Sequence, residues 1–176
     1  MAITKWAIDP THSEIGFKVK HMMFTNVSGK FDQYDGSIAT QENDFTTAII
    51  SFSASIDSID TRNSDRDNHL KSADFFDAEN HPKLTFTGKS FSKIDENNYE
   101  LLGDLSIKNV TKEVKLPVEF SGLMQDPWGN TKVGLNIEGK INRKDWGLNW
   151  NSALETGGVL VGEEVKLIID LQLVKS

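Results

Sequence analysis

The chain contains no cysteine, which removes disulfides, thiol nucleophiles and thiolate metal sites in one step. It has no apolar run approaching the roughly 18 residues that a membrane-spanning helix needs. Its opening, MAITKWAIDP, holds a single lysine and no apolar h-region, so it does not read as a secretory signal. Cytoplasmic residence is expected on that basis; a periplasmic or secreted location follows instead if the chain is a trimmed mature form. Positive charge is not in excess either: 19 Lys and Arg stand against 26 Asp and Glu, a formal net charge of −7. That balance argues against a nucleic-acid partner and against electrostatic docking on a membrane. Also missing are a Gly-x-Ser-x-Gly elbow and a glycine-rich phosphate loop, since Gly157-Gly158 is an isolated pair. No repeat, low-complexity stretch or shift of composition divides the 176 residues, so 1–176 reads as a single domain large enough to bury a core.

What is present is alternation. Ile15, Phe17 and Val19 share a parity, as do Ile50, Phe52, Ala54 and Ile56, then Val114, Leu116, Val118 and Phe120. The last segment, from Val165 to Leu173, is the most regular. Turn chemistry separates these runs: Asp9-Pro10, Asp35-Gly36, Asp95 to Asn98, Lys108-Asn109 and Asp126 to Asn130. About eight to ten short strands with one apolar face each imply an all-β domain, either an antiparallel sandwich or an up-and-down barrel. Pro117 lies within a strand and lacks a ladder donor, so a bulge or an edge is expected there. Ala54, Gly103 and Gly139 all take inward parity at mid-strand. They leave room for a ligand, or they let a coiled sheet bend around a filled core; the pattern by itself favours neither.

One stretch breaks the alternation. Thr61 to Asp77 reads as a helix, with Ser64 as N-cap and Asp65 and Asp67 in the first turn, where the dipole favours anions. Arg66, His69, Leu70, Ala73 and Phe76 then fall on one face. A single helix among strands is expected to plug one end of the sheet. Trp146 and Trp150 are expected to help close a barrel end.

Catalytic and metal chemistry find little support. His12, His21, His69 and His81 have neither the i, i+4 spacing of a helical zinc site nor the i, i+2 spacing of a strand site. Asp65 could orient the His69 imidazole at i, i+4, or form an ordinary surface pair. No carboxylate sits in an apolar setting that would raise its pKa into the range of a general acid. No metal or catalytic residue is therefore assigned.

Four ordered motifs resemble the YceI-like family of polyisoprenoid-binding, lipocalin-like bacterial proteins. They are Trp6-x-Ile8-Asp9-x-x-His12-Ser13-x-Ile15-x-Phe17-x-Val19-x-His21-Met22, then Arg66-Asp67-x-His69-Leu70-Lys71-Ser72-x-Asp74-Phe75-Phe76-Asp77. Gly103 to Lys112 and Asn142 to Leu148 complete the set, the latter followed by Gly162 to Val165. The resemblance spans nearly the whole chain. It implies an eight-stranded antiparallel up-and-down barrel with one short helix over an end, and a cavity for a polyisoprenoid, isoprenoid quinone or fatty-acid derivative. It implies binding, storage or transport rather than catalysis, no cofactor beyond a bound lipid, and a homodimer. Transferred to this chain, the cavity would be lined by Phe17, Val19, Phe52 and Ala54 on one side and Leu101, Leu105, Leu135 and Ile137 on the other. Phe76 would face its mouth, with Arg66 and His69 offering donors to a head group, unless Arg66 instead pairs with Asp9 or Asp104. The competing expectations are a hydrolase or isomerase of an apolar substrate using His69 and His12, and a filled β module that binds no ligand.

Overall fold

The computed structural model describes residues 2–22, 24–151 and 160–176. Eleven strands follow in order: β1 Ile3–Ile8, β2 Glu14–His21, β3 Thr25–Phe31, β4 Tyr34–Gln41, β5 Asp44–Ser55 and β6 Ile59–Asp60. After the helix α1, Ser64–Lys71, come β7 Lys83–Lys93, β8 Asn98–Ile107, β9 Val110–Gln125, β10 Thr131–Asn142 and β11 Val161–Lys175. All ladders are antiparallel, and they run β1-β4-β5-β7-β8-β9-β10-β11. Pairing of β11 back onto β1, from Trp6 opposite Lys175 to Ile8 opposite Leu173, closes the ring into an eight-stranded barrel.

The first half of β11 pairs with β2, Val165 opposite Val19 and Ile169 opposite Ile15, while its last residues pair with β1. β1 and β2 are thus two parts of one edge, interrupted at Asp9 to Ser13. The cause is local. Pro10 starts a single 3₁₀ turn, and the Asp9 carboxylate accepts from the Thr11 backbone N–H (3.0 Å) and hydroxyl (2.7 Å). Beyond this break β2 and β3 form a hairpin, β3 carries the short β6, and α1 follows it at that end of the barrel.

The helix is shorter than the sequence pattern predicts. Asn63, not Ser64, is its N-cap, with its side chain accepting from the Arg66 N–H at 3.0 Å. After Lys71 the Ser72 hydroxyl turns onto the His69 carbonyl, and the chain leaves the helix in tight turns. The helical face expected through Ala73 therefore ends early: Ala73 is exposed and Phe75 is buried in its place.

Pro117 sits at a local edge rather than a bulge. Its register against β8 runs straight through, opposite Glu100, and the bulge in β9 falls later, beside Gly122 at φ +79°. Pairing with β10 does stop at Val118, next to the residue that has no N–H to extend the ladder.

The small inward residues do not open space for a ligand. A Cβ placed on Gly103 would lie 2.4 Å from Phe86 Cζ, and one on Gly139 would lie 2.5 Å from Leu116 Cδ2. Each glycine is a seat for a large side chain from the next strand. Ala54 is 1% exposed and packs with Ile15, Phe31, Ile56, Ile59 and Ala78 in a small core under the helix. Room in the barrel arises elsewhere, from the size of the ring itself.

Candidate functional site

An apolar cavity of about 350 Å³ runs inside the barrel, within the span of small-molecule sites and far above the ~30 Å³ share of one water. At one end it meets a cluster of rings. Phe45 lies 4.9 Å from Trp6 and 5.2 Å from Phe120, and Tyr99 lies 4.8 Å from both Phe91 and Phe120. The Trp6 indole N–H donates to the Thr40 hydroxyl at 3.0 Å, and that hydroxyl donates to the Glu42 carbonyl at 2.6 Å. The buried polar atoms are thereby satisfied and this end is sealed.

At the other end the lining opens. Val19, Val27, Val161 and Val165 are half-buried, and α1 with the segments around Phe75 and Trp150 lies across the opening. Ten of the eleven residues nominated from the sequence line the cavity: Phe17, Val19, Phe52, Arg66, His69, Phe76, Leu101, Leu105, Leu135 and Ile137. Ala54 does not; its short side chain is spent in the core beneath α1.

Arg66 reaches neither Asp9 nor Asp104. Its Nε donates to the Thr61 hydroxyl at 2.8 Å and Nη2 to the Thr61 carbonyl at 2.5 Å, while the Asp67 carboxylate accepts from the same threonine's N–H and hydroxyl. Thr61, 3% exposed, thus joins the end of β6 to the start of α1. His69 is oriented by Asp74 rather than Asp65, with Nε2 at 2.9 Å from the carboxylate. Its ring stands edge-on to Trp150 at 4.6 Å and to Phe75 at 5.2 Å.

The residue that sequence reasoning passed over is Arg143. It lines the cavity and is 3% exposed, yet its hydrogen bonds go to backbone carbonyls only: Gly162 from Nε, Leu148 and Trp150 from Nη1, and Val161 from Nη2. Burial pushes its pKa below the usual guanidinium value, opposed by the nearby Glu163 charge. Its position follows from the short 3₁₀ helix Arg143–Trp146, capped by Asn142 and ended by Gly147 at φ +78°. The same turn drops Trp146 into the barrel wall, where its indole N–H donates to the Leu105 carbonyl at 2.8 Å. Arg143 falls inside a motif noted from the sequence; burial, the property that singles it out, is invisible there.

The four histidines do not assemble. His12 is absent from the cavity lining and contacts Asp9 at 2.8 Å, whereas His21 and His69 line it. Among the described residues, no three His, Asp or Glu side chains come close enough to hold a metal ion. No helix among them is long and apolar enough to cross a membrane.

The YceI-like domain family model matches residues 6–173. A UPF0312 protein of Staphylococcus aureus (strain MSSA476) is 42% identical over 165 residues, which is 93% of this chain and 94% of that one. Among solved structures, a Campylobacter jejuni YceI protein is 31% identical with TM-score 0.77, covering 89% of this chain and 90% of its own. Two more distant structures share the fold. Burkholderia cenocepacia BcnA has TM-score 0.79 at 19% identity, over 94% of this chain and 98% of its own. A domain of Saccharophagus degradans, described as polyisoprenoid-binding, has TM-score 0.67 at 14% identity, over 97% and 98%. With a family match across almost its full length and a barrel of the same architecture, this chain belongs to the YceI-like family.

Proposed function

We propose that this protein is a non-enzymatic binder that stores or transports a long-chain apolar ligand, a polyisoprenoid, isoprenoid quinone or fatty-acid derivative, in its barrel cavity. The observation that carries the reading is the apolar cavity itself, sealed by rings at one end and open beside α1 at the other. A tail drawn into it gains roughly 25 cal/mol for each Å² of apolar surface removed from water, so a long chain is held without a covalent link. The polyisoprenoid-binding description of the S. degradans domain agrees with this reading. The acid–base alternative loses its pair, because His12 lies outside the lining that contains His69.

Organic extraction of the purified protein followed by mass spectrometry should release a long-chain lipid. Long-chain lipids added to stripped protein should raise its Tm. No extractable lipid together with an unmoved Tm would overturn the proposal. Native mass spectrometry on the same sample reads cargo mass and tests the homodimer.

A further inference from the structure

We infer that the ligand is an anionic amphiphile, one long apolar tail with a carboxylate or phosphate head, and that the head lies at the α1 end of the cavity. This rests on the ligand-binding reading above and adds the charge of the head group.

Among the described residues, every ionisable residue of the lining is basic: Lys20, His21, Arg66, His69 and Arg143. Among the described residues no Asp or Glu lines the cavity, although acidic residues outnumber Lys and Arg in the chain by 26 to 19. The charge of the lining is thus opposite to that of the molecule. An acidic exterior does nothing to attract an anion, so the basic groups have a local use or none.

These five residues gather at one end. His69 packs edge-on against Trp150, and the Trp150 carbonyl accepts from Arg143 at 2.9 Å. Arg143 also donates to the Val161 carbonyl, and Val161 pairs with His21 across the β2–β11 ladder. Lys20 lies against Gly162, whose carbonyl accepts from Arg143 Nε, and Arg66 stands on α1 one turn before His69. The tail-lining residues Leu101, Leu135 and Phe91 lie further in, towards the ring-sealed end.

Among the described residues Asp67 is turned to Thr61 and Glu163 to Lys144 at 2.7 Å, while Asp74 pairs with His69, so that Lys20, His21, Arg66 and Arg143 are the basic groups of this end with no ion pair. Arg143 is a buried cation with carbonyl partners only, a costly arrangement that an arriving anion would relieve. Arg66 gives Nε and one Nη2 N–H to Thr61, so the Nη1 side of its fork remains for a carboxylate or phosphate. A hydrocarbon gains nothing from such a rim, and a neutral quinone gains hydrogen bonds to its carbonyls but no charge pairing.

Calorimetric titration of the stripped full chain at about pH 8, where fatty carboxylates are ionised, with hexadecanoate, hexadecyl phosphate and 1-hexadecanol compares three heads on one tail. At least one anion should bind roughly tenfold tighter than the alcohol, with the gap shrinking as salt is raised. The stronger of the two anions names the head. Arg66→Gln should remove most of the gap by weakening the anions far more than the alcohol; if that variant does not fold, the rim double change Lys20→Gln with His21→Gln is expected to narrow it. Equal affinities, or a tighter alcohol, would overturn the anionic head while leaving the cavity reading intact. Failure of all three probes would overturn the cavity reading and this inference with it.

Discussion

Where the β4–β5, β7–β8 and β9–β10 turns meet, Trp6, Phe45, Phe91, Tyr99 and Phe120 pack ring to ring, and among the described residues no cation stacks on these rings. At the opposite end Phe75 and Trp150 also supply rings, but these are shared with His69 at 5.2 and 4.6 Å and with the Arg143 guanidinium, 5.9 Å from the Phe75 centroid. The first end satisfies its few polar atoms through one Trp6–Thr40–Glu42 relay. The second spends a whole guanidinium on the carbonyls of Leu148, Trp150, Val161 and Gly162. The first arrangement closes its end of the barrel, and the second leaves its end open beside α1. Only the second keeps donors and positive charge beside the cavity, and donors beside an apolar space are what orient a ligand.

If the ring end is purely a stability element, Phe120→Ala should cost about 3–5 kcal/mol, since it removes a ring shared by Phe45, Phe91 and Tyr99. Chemical denaturation reads this loss, and an effect below about 1 kcal/mol would mean that the seal is not a packed core. At the other end, Arg143→Met removes a cation and leaves buried carbonyls without donors, an expected loss of about 1–3 kcal/mol. Amide exchange should then accelerate around Leu148 and Val161 and stay unchanged around Phe91. Acceleration at both ends alike would erase the distinction between them.

The smallest effect is expected at the break between the two ends. His12 and Thr11 hold the Asp9 carboxyl down from its ordinary 3.8 to about 2. A folded value below the unfolded one gives stability that is fully present above about pH 4 and is lost as pH falls towards 2. Asp9→Asn should therefore cost about 1 kcal/mol at neutral pH and show a flatter decline of Tm in that acidic window than the parent chain. Identical declines would show that Asp9 does not couple the β1–β2 break to folding.

Much of this was readable in the sequence because alternation is a local property. Leu101 and Leu105, or Leu135 and Ile137, reveal their common face by spacing alone, and all four line the cavity. Spacing does not reveal what lies across that face. Ala54, Gly103 and Gly139 share the inward parity, yet the space over the two glycines belongs to Phe86 and Leu116 on neighbouring strands, and Ala54 is closed in by Ile56 and Phe31. The helix shows the same limit. Its start was misplaced by one residue because Asn63 and Ser64 are both competent caps, and its end by several because the turn at Ser72 competes with the helical ladder.

The order of turns and apolar runs by itself determined an all-β class with one helix, since backbone pairing and side-chain parity follow from nearest neighbours along the chain. Closure of the ring through β1 and β11, the partner of His69, and the burial of Arg143 among four carbonyls were decided only in three dimensions. Asp74 reaches His69 through the local turn at Ser72, but ring closure and the Arg143 bonds to Val161 and Gly162 join groups from separate segments, as when β1 meets β11 near the opposite end of the chain. Their meeting depends on how the sheet coils, and no spacing within one strand encodes that.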